Sequence, residues 1–246
     1  NDTAPSPPPL EGGPSPPPLE GGGGQDPHLT LAYGGRADFR GRRGVLYNVL
    51  SSHGASVNVR TDDALFKLRE VTVHGSFLTE AHVVARTLAG RLLRIAPTAD
   101  HLGPTGKWRA VNGACGDETF TLDPKGSRAC DELTVSIEYS TLTVATGEWN
   151  IKVMAQPVYG RLAGAHHRLD VAIVALAEEE AHGLIGQSFD GSEIPRFGRV
   201  DQYPPLEIPA DFETSAMAEG AIEGVAADYE VPDKYSTQFK FSRFAA

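Results

Sequence analysis

Residues 133–144 read LTVSIEYSTLTV, and apolar and polar side chains alternate over the twelve residues but for the pair Ser140-Thr141. Successive side chains of a strand point to opposite faces, so this pattern predicts a strand with one face in a core and the other turned outward. Val, Ile, Thr and Tyr dominate it, residue types that fit a pleated surface. A helix would bring its apolar positions back about every 3.6 residues, and this stretch does not. Its reading sets β as the class of the surrounding body.

Shorter stretches on both sides repeat the signal. Residues 29–33, 45–50 and 55–60 are apolar runs separated by Gly, Ser and His turns, and 66–69 and 71–73 alternate as half-buried strands. Residues 151–154 and 169–176 read as further strands, the second apolar enough to be buried on both faces. Residues 80–95 read as an amphipathic helix, against the grain of Gly90 and the Val/Thr content. Past Pro209, a Gly/Ala/Glu segment at 216–229 predicts one short helix, and YSTQFKFSRF at 235–244 predicts a last strand. Many short strands with glycine-rich turns predict a mainly β fold, an antiparallel β-sandwich.

The N-terminal end is a different material. PSPPPLEGG at 5–13 is repeated without change at 14–22. Proline runs have a fixed φ and no backbone donor, so they favour polyproline II. Apart from Leu10 and Leu19 nothing there fills a core. Residues 1–24 therefore read as a Pro/Gly-rich tail, 25–205 as the β domain, and 206–246 as a C-terminal extension packing on it. Extended at ~3.1 Å per residue, the tail reaches about 75 Å. A body of this size has a radius of gyration of about 17 Å. The tail is thus long enough to touch a neighbouring molecule.

The 246 residues carry a formal charge of −10 with no basic stripe, which excludes nucleic acid and disfavours anionic membranes as partners. The apolar run near 171–177 falls far short of the roughly 20 residues that span a bilayer, so no membrane insertion is expected. No signal-peptide pattern opens the chain, and secretion would place Asn1 near a mature N-terminus. Cys115 and Cys130 are the only cysteines and lack a C-x-x-C pattern. A structural disulfide in an oxidising compartment is the leading reading, and two buried free thiols the alternative.

Two motifs carry a family resemblance. Residues 26–30 read DPHLT and 34–41 read GGRADFRG; residues 182–191 read HGLIGQSFDG. The first pair resembles the opening of a von Willebrand factor type D domain. The second resembles the closing motif of those domains, and more closely that of inter-alpha-trypsin inhibitor heavy chains. The resemblance covers roughly 25–205 and implies a two-sheet extracellular domain without a catalytic site. It makes Gly34, Gly35, Gly183 and Gly186 turn residues and Phe39 and Phe189 apolar anchors. It also points to Asp190 as a calcium candidate and to Asp26–Pro27 as a bond that breaks in some relatives, although Gln25 stands where those have Gly. With two cysteines, the disulfide-linked multimers of that family do not transfer. The tail resembles hydroxyproline-rich glycoproteins of plant and green-algal walls. That resemblance implies hydroxylation and glycosylation at Pro7, Pro8, Pro9, Pro16, Pro17 and Pro18, with sugar on Ser6 and Ser15. Asn1 heads the N-x-S/T sequon Asn1-Asp2-Thr3.

Enzymatic signals are weak. His166 and His167 are adjacent, which on a strand points them apart, and no H-E-x-x-H set occurs. GQSFD at 186–190 lacks the last glycine of a nucleophile elbow, and GPTGK at 103–107 is too short for a P-loop. No catalytic residue and no resident cofactor are expected, calcium at Asp190 excepted. The sequence therefore predicts an extracellular structural glycoprotein, a homo-oligomer or filament assembled through its terminal extensions. The alternative is a monomeric adhesion or carbohydrate-binding module on a glycosylated stalk, with Trp108, Trp149 and Tyr159 as its aromatic platform.

Overall fold

The computed structural model describes residues 19–24, 28–103, 108–177, 180–202, 211–215 and 223–245, with the backbone alone for 19–24. In chain order the strands are β1 (Leu19–Gly24), β2 (His28–Thr30), β3 (Arg36–Asp38), β4 (Leu46–Ser52), β5 (Ala55–Leu68) and β6 (Val71–Arg86). Then follow β7 (Leu92–Ile95), β8 (Val111–Cys115), β9 (Glu118–Leu122), β10 (Ser127–Cys130), β11 (Leu133–Glu138) and β12 (Thr141–Ala145). The last are β13 (Trp149–Pro157), β14 (Arg161–Gly164), β15 (His167–Ala175), β16 (Ala181–His182) and β17 (Asp211–Glu213). One sheet has the order β10-β11-β12-β13-β15-β1-β2-β3. The second runs β16-β4-β5-β6-β7-β8-β9, with β14 added to β5 and β17 lying parallel to β6. The antiparallel sheets pack on each other as a β-sandwich, and no α-helix occurs among the described residues.

The core lies between the sheets. Leu133, Val135, Ile137, Leu142, Val144, Trp149 and Ile151 from the first sheet join Val57, Val59, Val83, Leu93 and Ile95 from the second in one buried cluster. Each such side chain contributes roughly 1.5–3 kcal/mol by leaving water. Cys115 on β8 and Cys130 on β10 are disulfide-bonded, with Cα atoms 5.7 Å apart, and staple one sheet to the other.

Several expectations change. The stretch 133–144 is a hairpin rather than one strand: Glu138 pairs with Thr141 and Tyr139 turns the chain at φ 52°. Its apolar phase slips at the turn, from Leu133, Val135 and Ile137 to Leu142 and Val144, which keeps both arms facing the core. Stretch 29–33 ends as a strand at Thr30 and continues as a 3-10 turn. Stretch 55–60 and residues 66–68 of the next belong to one strand, whose register shifts between Arg60 and Thr61, and Arg69 begins the turn to β6 at φ 55°. Strand β15 buries Leu169, Val171, Ile173 and Ala175, while Asp170, Ala172 and Val174 are half-buried, so it is not buried on both faces.

The helix expected at 80–95 is the end of β6, a turn through Gly90 at φ 80°, and β7. Residues 81–85 are buried on both faces, so the strand period is hidden. Of 216–229, residues 216–222 lie outside the described residues, and Ala226–Tyr229 form one 3-10 turn. The last strand expected at 235–244 is an irregular strap. The strands beneath 235–244 already have lateral partners there, so this part of the strap crosses their face; edge pairing is made just before it, where Glu230 bridges Tyr47 and the Val231 N–H donates to the Leu46 carbonyl of β4. Finally, Leu19–Gly24, expected in the tail, is a strand paired with β15 and β2.

Candidate functional site

The two motifs, about 150 residues apart in sequence, meet. The Ser188 hydroxyl accepts the Ala32 N–H at 2.9 Å and donates to the Ile185 carbonyl at 2.7 Å. The Arg36 N–H donates to the Arg196 carbonyl at 3.1 Å. Gly35 has an ordinary φ, but a Cβ there would lie 2.2 Å from the Arg196 carbonyl oxygen. Gly183 has φ 105°, and its Cβ would lie 2.6 Å from Asn48 Oδ1 and from the Val49 carbonyl carbon. That close approach lets Leu184 and Ile185 donate to the Asn48 and Val49 carbonyls. Gly186 is less constrained, its nearest obstacle being Leu50 Cδ1 at 3.2 Å. Phe39 packs edge-on against Tyr47 at 5.0 Å, and Phe189 against Trp149 at 5.2 Å, so both motif aromatics are seated in the core.

The closing motif is also a cradle for the strap, residues 223–245. His182 stacks on Phe241 at 4.4 Å and on Tyr229 at 6.0 Å. Its Nδ1 accepts the Gly183 N–H at 2.9 Å, which leaves the proton on Nε2, facing Glu223 at 3.3 Å. Burial lowers the His182 pKa despite that carboxylate. Gln187 Oε1 accepts from the Glu223 N–H at 2.9 Å, and the Tyr229 hydroxyl lies 3.0 Å away, also within reach of the Glu223 carbonyl. Burial pushes the Tyr229 hydroxyl above its usual pKa, so it stays a donor.

Beyond the cradle, the strap covers the outward face of β4, β5 and β6. Alternation places Ser56, Asn58 and Arg60 on this face, paired with Val84, His82 and Glu80 of β6. Asn58 Nδ2 lies 3.1 Å from the Lys234 carbonyl and 2.8 Å from the Ser236 carbonyl. Glu80 meets Arg60 at 2.9 Å, His82 at 3.1 Å and Lys234 at 3.4 Å. Burial alone would raise the Glu80 pKa; the Arg60 hydrogen bond and the nearby cations outweigh it and hold the carboxyl below its usual value. Burial is also the main influence on His82, whose pKa falls to about 4. Further along, Arg243 N–H donates to Ser51 Oγ at 2.9 Å, Ala245 N–H donates to the His53 carbonyl at 3.2 Å, and Arg86 lies over the Phe244 ring.

The N-terminal segment is held differently. In β1 the Cα partners run from Leu19↔Ala175 to Gly23↔Val171 on β15, and from Gly22↔Thr30 to Gly24↔His28 on β2. A glycine-rich strand thus fills the interior of the first sheet and joins the proline-rich segment to the body.

Pro7, Pro8, Pro9, Pro16, Pro17, Pro18, Ser6, Ser15 and Asn1, with the Asp26–Pro27 bond, lie outside the described residues. Asp190 takes two contacts from Arg196, at 3.1 and 2.5 Å, and the Ser192 N–H at 3.0 Å. Among the described residues no group of three or more His, Cys, Asp or Glu is placed to hold a metal ion. The aromatic platform does not form: Trp149 is fully buried in the core, Trp108 is half-buried, and Tyr159 is exposed. His166 is exposed, and His167 faces Asp100 at 3.4 Å. Sequence reasoning missed the parts played by His82, His182, Gln187 and Tyr229. The trace of His82 was the polar pattern at 56, 58, 60, 80 and 82; His182 and Gln187 stood in the closing motif without a sign of what they hold, and Tyr229 carried no signal.

No protein-family model matches this chain, and no curated protein matches it.

Proposed function

We propose that this chain is an extracellular structural glycoprotein subunit, related to von Willebrand type D domains, which self-assembles into a filament or matrix through its terminal segments. The observation that carries the reading is β1. The residues that end the proline-rich segment are a strand inside the first sheet, so tension along that segment passes into a ladder of backbone hydrogen bonds. An interior strand is a better attachment point for a load than a loose terminus. The inter-sheet disulfide fits an oxidising compartment. Sugar on the Pro and Ser positions of the repeats would stiffen the segment outside the body and keep it extended.

Truncation must spare β1 to be informative. Removing residues 1–18 leaves the sheet complete and takes away the proline runs. The expected result is loss of large species in light scattering and of filaments in electron micrographs, with an unchanged thermal midpoint. Identical assembly of the full and truncated chains would refute a role for the tail. Glycopeptide mass spectrometry of residues 1–25 tests the modification, with hydroxyproline-linked sugar as the expected finding.

A further inference from the structure

The tail repeat contains Leu-Glu-Gly-Gly twice, at residues 10–13 and 19–22. The second copy opens β1, where Leu19, Glu20, Gly21 and Gly22 pair with Ala175, Val174, Ile173 and Ala172 of β15. A chain with one slot between β15 and β2 therefore carries two identical segments that match it. Glycine adds no side-chain packing to a strand and loses more backbone freedom on ordering than alanine does. The four consecutive glycines at 21–24 leave β1 held by its backbone ladder, and such strands are weakly specified in register and prone to exchange. Yet the slot has to be filled, because among the described residues β1 alone connects β15 to the β2–β3 pair in the sheet order. Leaving it empty would expose backbone donors and acceptors on both flanking strands.

We propose that the slot between β15 and β2 is a strand-exchange site whose occupant is the Leu-Glu-Gly-Gly segment of a second copy of this chain. One molecule then contributes a donor strand and an acceptor slot at separate places. Such a heterologous contact forms a ring where its rotation closes and an open filament where it does not, and the self-assembly reading requires the second. The repeat supplies two donors per slot, so a copy whose slot is taken by a neighbour's segment has both of its own, at 10–13 and 19–22, left to enter the next molecule. The proposal rests on the self-assembly reading and specifies its contact.

The test uses two full-length chains secreted together. One carries Gly22→Cys or, at the equivalent place in the first repeat, Gly13→Cys. The other carries Ala172→Cys, the Cα partner of Gly22. The control acceptor is Ser136→Cys, which lies in the same row through Thr143 and Lys152. At about 4.8 Å per strand spacing it sits roughly 19 Å from Gly22 within one sheet. Cross-linking is scored by oxidation and by a short bis-maleimide, so that a pair too twisted for a disulfide still reports. Exchange predicts covalent heterodimers with Ala172→Cys at about tenfold or more over the control, given the millimolar effective concentration of paired strands. Heterodimers at the control level for both donors would overturn it. Light scattering of the unmodified chain separates this from the broader reading. Large species without heterodimers would sink strand exchange alone, whereas heterodimers without large species would sink the filament and leave exchange standing.

Discussion

Acidification from pH 7 to pH 5 protonates His82 in the unfolded chain and leaves it neutral in the folded one. The side chain, on β6, is fully buried beneath the strap, with Glu80 at 3.1 Å, the Arg60 and Lys234 cations nearby and the Tyr235 ring edge-on. Burial takes its pKa from 6.5 down to about 4. Because the folded value is depressed, the unfolded chain binds the extra proton between these values. The stability associated with neutral His82 is therefore complete above the unfolded pKa and is lost as pH falls towards about 4. At 1.36 kcal/mol per pKa unit the whole effect is about 3 kcal/mol, of which about 2 kcal/mol falls between pH 7 and pH 5. Urea denaturation at the two pH values measures it. His82→Gln, neutral throughout and able to donate to Glu80, should shrink the difference between pH 7 and pH 5 by about 2 kcal/mol. Equal pH dependence in the variant and the parent would refute the reasoning and move the acid sensitivity elsewhere.

Other expectations concern the cradle and the staple. Replacing Cys115 and Cys130 together with serine should cost about 3 kcal/mol in the chain-entropy account of a loop this size, read from denaturation midpoints. Gly183→Ala forces a Cβ against the β4 backbone as well as a left-handed φ, and should destabilise by well over 1 kcal/mol. Gly191→Ala, at φ 75° with open space around it, should cost only the conformational strain of about 1–2 kcal/mol. Comparing their thermal midpoints separates collision from strain. Tyr229→Phe removes the hydroxyl shared between Gln187 and Glu223 and should cost about 1–2 kcal/mol, accompanied by faster amide exchange across residues 223–245.

Local chemistry in the sequence determined the material of this protein. Alternation along 133–144 requires a pleated strand facing a core, because side-chain direction repeats every two residues whatever lies around it. The glycine at 183 announces a turn, and two cysteines leave one intramolecular pairing. What covers each face is set by segments distant in the chain, and there local reading gives out. Asn58, Glu80 and His82 look like the wet side of a sheet until Lys234 and Tyr235 lie over them. The same cover buries residues 81–85 on both faces and makes a strand resemble a helix. Leu-Glu-Gly-Gly has no strand propensity of its own. Only the gap between β15 and β2, with unpaired backbone on both sides, makes a strand of it.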